Sequence, residues 1–325
     1  MDKTLDPAIL AALPTGCNIT SVKPHGSGSW STGYKIATSV NGAEVEFFLK
    51  IIQRPTHEKL AAGEYTSRKE LQKYLPDSIS IPLAHGPLTN DTSSSFFLTP
   101  FRDLSTELPT PIQLVDVLQK LHQTSLSPTG KFGFHVTTYN GIVPLLNEWC
   151  DTWEEYFTRQ LYSDIEWSHR ILGPDPEFDI VADEFFKTVV PRLLRPLQTG
   201  GRHIDAVLVH GDVRSGNVEI EKGTRRVILF DACCCYAHNE VELGMMREPR
   251  YQFTGEYLKR YMEVVPASEP VEDFDDRNAL YAMRDNIINS GLHSHRAFLR
   301  KQARKEMQRL IDKNPKGIDG FRDPK

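Results

Sequence analysis

Short apolar runs separated by glycine and serine occupy the first hundred residues and predict β-strands. Residues 20–52 show this punctuation and end in EVEFFLKII, whose β-branched and aromatic side chains are typical of a buried strand. The pattern predicts a hairpin followed by a third strand. SIPLAHGPL and SSFFLTPF predict two more short strands. This part of the chain is therefore expected to be rich in β-structure.

A helical pattern follows the third predicted strand. In EKLAAGEYTSRKELQKYL, apolar side chains recur at roughly helical spacing with charges between them, and a proline follows. The apolar positions are Leu60, Tyr65, Leu71 and Leu75, and the proline is Pro76. The pattern predicts a helix that begins soon after the strand and ends at the proline.

Beyond the polar, proline-containing stretch RDLSTELPTP, the predicted elements are mostly helical. Helical patterns occupy 111–125, 145–161, 180–197, 250–263 and 277–312. Strand-like runs there are limited to AVLVH, NVEI and RVILF. We place the boundary between a smaller and a larger domain near residue 102.

Composition and charge exclude several classes of protein. With 325 residues and 39% hydrophobic content, the chain is expected to be globular, with about two domains. Its net charge of −5, without a long basic block, argues against nucleic acid as the main partner. No apolar stretch approaches the roughly 20 residues of a membrane span, and the acidic start MDKTLDPAILAALPTG lacks the basic region of a secretory signal. A cytoplasmic protein without membrane association is expected.

The stretch VLVHGDVRSGNVEI concentrates polar chemistry between two apolar runs. Asp212 follows AVLVH, Asn217 comes five residues later, and Asp231 follows RVILF. Three short strands would bring these oxygen-bearing side chains to one end of a small sheet. Such oxygens suit Mg²⁺, which binds through one or two carboxylates and substrate phosphates. With Asn217 and Asp231 on the metal, Asp212 can orient a hydroxyl and take its proton, so the spacing favours phosphoryl transfer to an alcohol.

Residues suited to nucleotide phosphates lie upstream. Lys50 ends EVEFFLK, and Glu64 lies fourteen residues on, in the predicted helix. In kinases a strand lysine paired with a helix glutamate binds the α- and β-phosphates. The glycines Gly26, Gly28 and Gly33 in HGSGSWSTGYKI fit a hairpin turn whose backbone N–H groups cover the phosphates. Taken singly, Lys50 is also compatible with an ordinary edge strand, and the glycines with plain turns.

Two segments resemble the fructosamine kinase (ketosamine-3-kinase) family, a branch of the aminoglycoside-phosphotransferase-like kinases. They are HGDVRSGNV followed by LFDACCCYAHNEVELG, and GKFGFHVTTYNGIVPLLNEWCDTWEEYF at 130–157. The resemblance covers nearly the whole chain. It implies an α+β, protein-kinase-like, bilobal fold. A mainly β amino-terminal ATP-binding lobe would span 1–102, and a mostly helical catalytic and acceptor-binding lobe would span 103–325.

The resemblance also implies a role for each matching residue. Asp212 becomes the catalytic base, and Asn217 and Asp231 become the ligands of Mg²⁺. Lys50 becomes the phosphate-binding lysine and Glu64 its partner. ATP and Mg²⁺ are thus the implied cofactors. His210 is expected to be a structural hydrogen-bonding residue, because kinases place the proton acceptor on the aspartate.

The chain departs from the family pattern near the acceptor. Arg214 stands where the family usually has a tryptophan facing the sugar, which leaves the identity of the acceptor open. Asp231 is followed by Ala232, whereas the family commonly has Asp-Pro at these two positions. Metal binding should not be affected, because it requires only the Asp231 carboxylate. His238 and Glu240 in YAHNEVELG are candidate supports of the acceptor pocket, and a structural role is equally compatible with them.

The activity implied by the resemblance is that of an ATP-dependent ketosamine 3-kinase. It would phosphorylate the C3 hydroxyl of ribulosamine or fructosamine adducts on protein lysines, after which the adduct would eliminate and release the amine. Glycated proteins or small ketosamines would be the partners of a monomer or weak dimer. Two alternatives stay open: a small-molecule phosphotransferase of the same fold, for choline or an aminoglycoside for example, and a nucleotide-binding pseudokinase with Arg214 blocking the acceptor site.

Cysteine and tryptophan positions receive structural interpretations. Five cysteines, namely Cys17, Cys150 and three at 233–235, are an odd number without CxxC spacing, so neither a disulfide framework nor a zinc ribbon is indicated. Consecutive cysteines on an extended segment alternate faces, so we expect small buried side chains rather than a shared metal. Trp149 and Trp153 are four residues apart, which predicts neighbours packed in the core on one helix, and an aromatic rim for a sugar is also compatible with them.

Overall fold

The computed structural model describes residues 5–253 and 255–322. Its α-helices are α1 (Pro7–Ala12), α2 (His57–Tyr74), α3 (Pro111–Thr124), α4 (Trp153–Leu172), α5 (Pro176–Leu194), α6 (Gly255–Val264), α7 (Phe274–Leu292) and α8 (Phe298–Lys313). Its strands are β1 (Asn18–Ser27), β2 (Ser31–Val40), β3 (Ala43–Ile52), β4 (Ala84–Pro87), β5 (Ser95–Pro100), β6 (Leu104–Ser105), β7 (Tyr139–Asn140), β8 (Val143–Pro144), β9 (Val207–Val209), β10 (Val218–Glu221), β11 (Val227–Leu229) and β12 (Cys235–Ala237). Short 3₁₀ turns cover Arg195–Gln198, Asn239–Arg247, Pro249–Tyr251, Val271–Asp273, Ser294–Arg296 and Gly317–Gly320.

The chain divides into two compact units, each built from three segments. The unit that we call the β-rich unit comprises Met1–Pro109, Val136–Ile142 and Asn217–Cys233. The helical unit comprises Thr110–His135, Val143–Gly216 and Cys234–Lys325. The domain boundary near residue 102 stays a prediction, and the compact units are discontinuous along the chain.

The main sheet of the β-rich unit is antiparallel, with strand order β1-β2-β3-β5-β4. Its first three strands confirm the predicted hairpin and third strand. Lys50 lies opposite Gly33 on β2 and opposite Phe97 on β5, so it belongs to an interior strand. The alternative of an ordinary edge-strand lysine is therefore wrong.

Helix α2 confirms the helix predicted after the third strand. It buries Leu60, Glu64 and Leu71 among other residues, because the 3.6-residue period places them on one face. The backbone N–H of Leu75 closes the last turn on the carbonyl of Leu71, and Pro76 follows. The helix thereby carries a glutamate into the interior of the β-rich unit.

The three strand-like runs around the polar stretch form strands, but not one sheet. Strands β10 and β11 pair with each other, with Val218 opposite Leu229, and β6 completes this sheet. Strand β9 pairs instead with β12, where Cys235 lies opposite Val209. The prediction of one small sheet is therefore wrong, because Cys235–Ala237 form a strand of their own that pairs with β9.

In the helical unit, helix α3 lies where the sequence predicts a helix, whereas helix α4 begins later than predicted. Thr110 and Gln113 form a reciprocal capping box at the start of α3. Helix α4 begins only at Trp153, because Phe132 and Cys150 exchange backbone hydrogen bonds of 2.8 and 3.0 Å and Thr152 caps the helix. Residues 145–152 are therefore not helical, and the predicted pairing of Trp149 with Trp153 on one helix is wrong. Trp153 itself is a core residue, 1% exposed.

The predicted helix over 277–312 consists of two helices. His293 adopts an extended backbone conformation after α7, and a 3₁₀ turn at Ser294–Arg296 leads into α8. Most residues of α7 are buried, so it forms the centre of the helical unit, with α4 and α8 packed against it. Among the residues described, no helix is both long enough and apolar enough to cross a bilayer.

Candidate active site

A lysine held by two carboxylates, with its side chain 14% exposed, is the central feature of the β-rich unit. The Nζ atom of Lys50 donates to Oε2 of Glu64 at 2.8 Å and to Oδ1 of Asp231 at 2.7 Å. Burial by itself would lower the pKa of Lys50, but the negative charges of Asp231 and Glu64 outweigh burial and raise it. Lys50 is therefore an ammonium ion at neutral pH. The structure brings these three sequence-predicted residues together.

A fourth charged residue, Arg68, joins Lys50, Glu64 and Asp231, and the sequence analysis had not identified it. Arg68 lies one helical turn after Glu64, and its Nη2 donates to Oε1 of Glu64 at 2.8 Å. The i,i+4 spacing along α2 was the signal available for finding it. Glu64 thus divides its two oxygens between a lysine and an arginine, which fixes the orientation of its carboxylate.

Asn217 and Asp231 lie at the same end of the β10–β11 hairpin. The backbone N–H of Phe230 donates to the carbonyl of Asn217 at 3.1 Å, so the two residues flank the last rung of the ladder. Asp231 has a left-handed backbone with φ of +57°, a conformation that is strained in most non-glycine residues and that often marks functional sites. An amide and a carboxylate oxygen at one hairpin end are the donor chemistry that suits a hard cation such as Mg²⁺.

A cavity of about 290 Å³ opens beside Lys50 and lies within the β-rich unit. Its lining combines backbone of the β1–β2 turn, two aromatic rings and cationic side chains. The lining includes Gly26, Gly28, Phe48, Phe101, Lys50, Arg68, Arg102 and Asp231. Apolar walls with a few convergent charges are the usual character of a site for a small ligand with anionic groups. Arg102 is a further lining residue that no sequence pattern had indicated.

The glycines of the β1–β2 hairpin have distinct local roles. Gly26 lines the cavity with a positive φ of +81° and open space around the position of a Cβ. The N–H of Gly28 donates to the carbonyl of Ser31 at 2.9 Å and thereby closes the turn. At Gly33 a Cβ would lie 2.3 Å from the carbonyl oxygen of His25, so a glycine there permits the close approach of β1 and β2.

In the helical unit, Asp212 lies in a loop that a buried glutamate holds in place. The backbone N–H groups of His210 and Gly211 donate to the two oxygens of Glu242 at 2.5 and 3.0 Å. Burial would raise the pKa of Glu242, but hydrogen bonds from the His122 side chain and the His210 backbone, together with the electrostatic effect of both histidines, lower it overall. Asp212 is 9% exposed, and its own N–H donates to Nδ1 of His210 at 3.3 Å. His210 therefore orients the loop, as the sequence analysis expected.

Arg214 lies against the carboxylate of Asp212. Its Nε is 3.3 Å from Oδ2 of Asp212, and its side chain is 37% exposed. A Cβ added at Gly216 would lie 2.2 Å from Nη1 of Arg214, so the guanidinium packs closely on the backbone of that glycine. Arg214 is thus an ion-pair partner of the candidate base.

His238 and Glu240 belong to a buried polar network. Arg277 donates to both oxygens of Glu240, at 2.8 and 3.0 Å. The ring nitrogens of His238 contact the hydroxyls of Tyr281 and Ser268, each at 2.9 Å. Burial lowers the pKa of His238 to about 4, so its ring is neutral at physiological pH. A supporting role of this pair toward an acceptor stays a prediction.

The three consecutive cysteines are buried, as predicted. Cys233, Cys234 and Cys235 are each at most 5% exposed. Burial raises the pKa of the Cys235 thiol to about 11, so this thiol is protonated and unreactive at neutral pH.

Known proteins similar to this chain include kinases of ketosamines and of aminoglycosides. A protein named protein-ribulosamine 3-kinase, chloroplastic, from Oryza sativa subsp. japonica is 27% identical over 284 residues, covering 85% of this chain and 76% of the rice protein. A crystal structure described as a candidate fructosamine-3-kinase from Thermobifida fusca superposes with a TM-score of 0.72 at 17% identity, covering 92% of this chain and 96% of that one. A thermostable mutant of an aminoglycoside phosphotransferase, in ternary complex with AMP-PNP and hygromycin B, gives a TM-score of 0.60 at 14% identity, covering 91% and 94% of the two chains.

These likenesses confirm the α+β, protein-kinase-like fold, with a β-sheet in the amino-terminal region and a mostly helical remainder. The sequence profile of the family described as fructosamine kinase matches residues 1–313, almost the whole chain. The protein is therefore a phosphotransferase, and it belongs to the fructosamine kinase family.

Proposed function

We propose that this protein is an ATP-dependent ketosamine 3-kinase that phosphorylates the C3 hydroxyl of ribulosamine or fructosamine adducts on lysines. The observation that carries the proposal is the contact of Lys50 with both Glu64 and Asp231 in a chain of the fructosamine kinase family. A lysine held between a helix carboxylate and a metal-loop carboxylate is the phosphate-binding arrangement of kinases.

Lys50 and its surroundings suit the phosphates of ATP. Its charged ammonium lines the cavity of the β-rich unit together with Arg68 and Arg102. Phosphate oxygens accept charge-assisted hydrogen bonds from an ammonium as carboxylate oxygens do, so Lys50 can bind a phosphate from its present position. The description of a structural neighbour bound to AMP-PNP, an analogue of ATP, supports ATP as the donor.

Asn217 and Asp231 would hold Mg²⁺, since they present oxygen donors at one end of a hairpin. When bound, the ion neutralises the charge that develops on the transferred phosphoryl group. The ion pair of Asp231 with Lys50 orients its carboxylate before any ligand arrives.

Asp212 would act as the proton acceptor. The carboxylate is mostly buried, and its loop is held through backbone N–H groups by Glu242, so its position varies little. It receives the hydrogen bond of the C3 hydroxyl and takes the proton as that oxygen bonds to the γ-phosphorus of ATP and the β–γ bridging bond breaks. The products are ADP and the ketosamine 3-phosphate.

Phosphorylation at C3 explains how such a kinase would remove a sugar from an amine. Enolisation of the C2 carbonyl toward C1 places a double bond beside C3, and the phosphate is then a good leaving group. Loss of inorganic phosphate leaves an imine at C1, and water hydrolyses it to release the amine. The proposed role is therefore protein deglycation, and the names of ribulosamine and ketosamine kinases among the relatives support it.

Phosphorus NMR of the purified protein with ATP, Mg²⁺ and N-ribulosyl-lysine or N-fructosyl-lysine tests this proposal. We expect a new ketosamine phosphate signal that disappears in Asp212→Asn. Asp205→Asn is the matched control, because Asp205 is an exposed carboxylate of the same unit whose described partner is the exposed His203.

Lys50→Met should lower kcat/KM for ATP about 10²–10³-fold, as expected when a preorganised charge at the transition state is lost. The exposed Lys59 provides the matched Lys59→Met control.

Two results would count against the proposal. Turnover of a free hydroxyl compound, with no signal from ketosamines, would favour a small-molecule phosphotransferase. Binding of ATP without turnover of any acceptor would favour a pseudokinase.

A further inference from the structure

Strand β10 carries a carboxylate on the cavity beside Lys50. Val218 and Ile220 are fully buried, and the alternation of side chains along a strand places Glu219 on the opposite face. Glu219 lies opposite Ile228 on β11, and both residues line the cavity. Glu219 therefore belongs to the wall of the site proposed for the nucleotide, and the sequence analysis had not identified it.

The Glu219 side chain has no partner of its own in the protein. Across residues 5–253 and 255–322, no hydrogen bond or ion pair engages its carboxylate, and burial raises its pKa without an opposing charge or donor. Each lysine and arginine of the cavity lining is paired with another carboxylate, Lys50 and Arg68 with Glu64 and Arg102 with Glu221. A half-buried carboxylate in this position is stabilised by a ligand that brings N–H or O–H groups to it.

The other side chains of the lining favour a planar ring as that ligand. Those that share the lining with Glu219 and are apolar or aromatic include Phe101, Leu104, Ile228 and Phe230. The ring of Phe101 is held by the ring of His25, with centroids 4.9 Å apart, and by Nζ of Lys35, 4.2 Å from its centroid. Flat apolar walls suit an aromatic heterocycle better than the hydroxylated ring of a sugar.

The position of Glu219 along β10 separates it from the groups proposed for the phosphates. Asn217, proposed to bind Mg²⁺, lies two residues earlier on the chain, which is roughly 7 Å along a strand. A carboxylate close to the phosphates would repel them, because both are anions. Glu219 therefore suits a part of the nucleotide that lies beyond the phosphates.

We propose that Glu219 recognises the base of the donor nucleotide by accepting hydrogen bonds from the N–H groups of an aminopurine. An ionised carboxylate has two acceptor oxygens and no donor, so it selects a base that presents N–H groups. Adenine offers its 6-amino group, and guanine offers N1–H beside its 2-amino group. This inference rests on the proposed function, because it takes the cavity as the site of the phosphate donor, and it narrows the base of that donor.

A matched set of nucleoside diphosphates tests the inference without any acceptor. The set is purine riboside 5′-diphosphate, which has no amino group, ADP and GDP, and the dissociation constants are measured with Mg²⁺ by isothermal titration calorimetry. We expect ADP or GDP to bind at least about tenfold more tightly than the purine riboside compound, because one charge-assisted hydrogen bond is worth roughly that factor. The tighter of the two identifies the recognised base.

Variants connect the preference to the carboxylate. Glu219→Leu should reduce the ratio of the two affinities toward one while leaving the affinity for the purine riboside compound unchanged, because that ligand offers no N–H to lose. Glu219→Gln keeps one acceptor oxygen without the charge and should give an intermediate ratio. Glu44→Leu should keep the wild-type ratio, since Glu44 is an exposed residue of β3 outside the cavity lining. If Glu219→Leu does not fold, the wild-type set and Glu219→Gln still decide the question.

Equal affinity of the wild type for all three diphosphates would overturn the inference and leave the proposed function standing. A preference of wild-type size in both Glu219→Leu and Glu219→Gln would overturn it as well. Discrimination against 2′-deoxy-ADP that depends on Glu219, without discrimination among the bases, would assign the carboxylate to the ribose and overturn the inference. The absence of binding of any nucleotide would overturn the proposed function and this inference with it.

Discussion

The ammonium of Lys50 depends on two carboxylates that lie far apart in the sequence. The contact with Glu64 follows from a kinase pattern of a strand lysine and a helix glutamate, so the sequence predicts it. The contact with Asp231 spans 181 positions, and no local pattern contains it. The pairing of Lys50 with Glu64 could thus be predicted from residue type and spacing, whereas the contact of Lys50 with Asp231 and the hydrogen bonds around Asp212 required the folded chain.

His238 gives the protein a pH-dependent stability that can be measured. In the unfolded chain its pKa is near 6.5, and burial lowers the pKa to about 4 in the folded protein. The unfolded state therefore binds more protons between these values, so this contribution is complete above pH 6.5 and is lost as the pH falls toward 4. We expect His238 to account for up to about 3 kcal/mol of that loss.

Urea unfolding from pH 7.5 to pH 4.5 checks this expectation in the wild type and in His238→Gln. The variant should show a smaller decrease in the free energy of unfolding across this range. The exposed His135 provides His135→Gln as the control, which should keep the wild-type slope. Identical pH dependence in the wild type and His238→Gln would contradict the account.

Elements with strong local signals were predicted well from the sequence. Helices α2 and α3 have clear apolar faces and a proline or capping box at one end, which fixes their bounds locally. The start of α4 was missed because the bridge between Phe132 and Cys150 is a tertiary contact. Strand β12 was missed because Cys235–Ala237 is too short a run to show a strand pattern, and its pairing with β9 is a tertiary contact.

The β1–β2 hairpin beside the cavity should be sensitive to one added methyl group. Gly33→Ala would place a Cβ 2.3 Å from the backbone of His25 and 2.9 Å from the ring of Phe48, so the strands must separate. We expect a loss of about 1–3 kcal/mol in the free energy of unfolding, measured by urea denaturation. Gly255→Ala, with no atom within 4 Å of its Cβ, should change stability by less than about 0.5 kcal/mol. Equal stability of both variants would show that the hairpin tolerates the methyl group.

At the scale of the whole molecule, fold class and enzyme class followed from the sequence, because segments spread over the chain match one family. The assignment of strands to sheets could not follow, since β9, β10 and β11 have similar apolar patterns and only tertiary packing separates β9 from the other two. The acceptor also could not be deduced by resemblance, because Arg214 departs from the family at the position that should face it.

The position of the transferred phosphate distinguishes a ketosamine 3-kinase from other phosphotransferases. A two-dimensional proton–phosphorus correlation spectrum of the product formed from ATP, Mg²⁺ and N-ribulosyl-lysine identifies the phosphorylated carbon. For a ketosamine 3-kinase we expect a cross-peak between the new phosphorus signal and the proton on C3 of the sugar. A cross-peak to a proton on another carbon, or hydrolysis of ATP without any ketosamine phosphate, would contradict it.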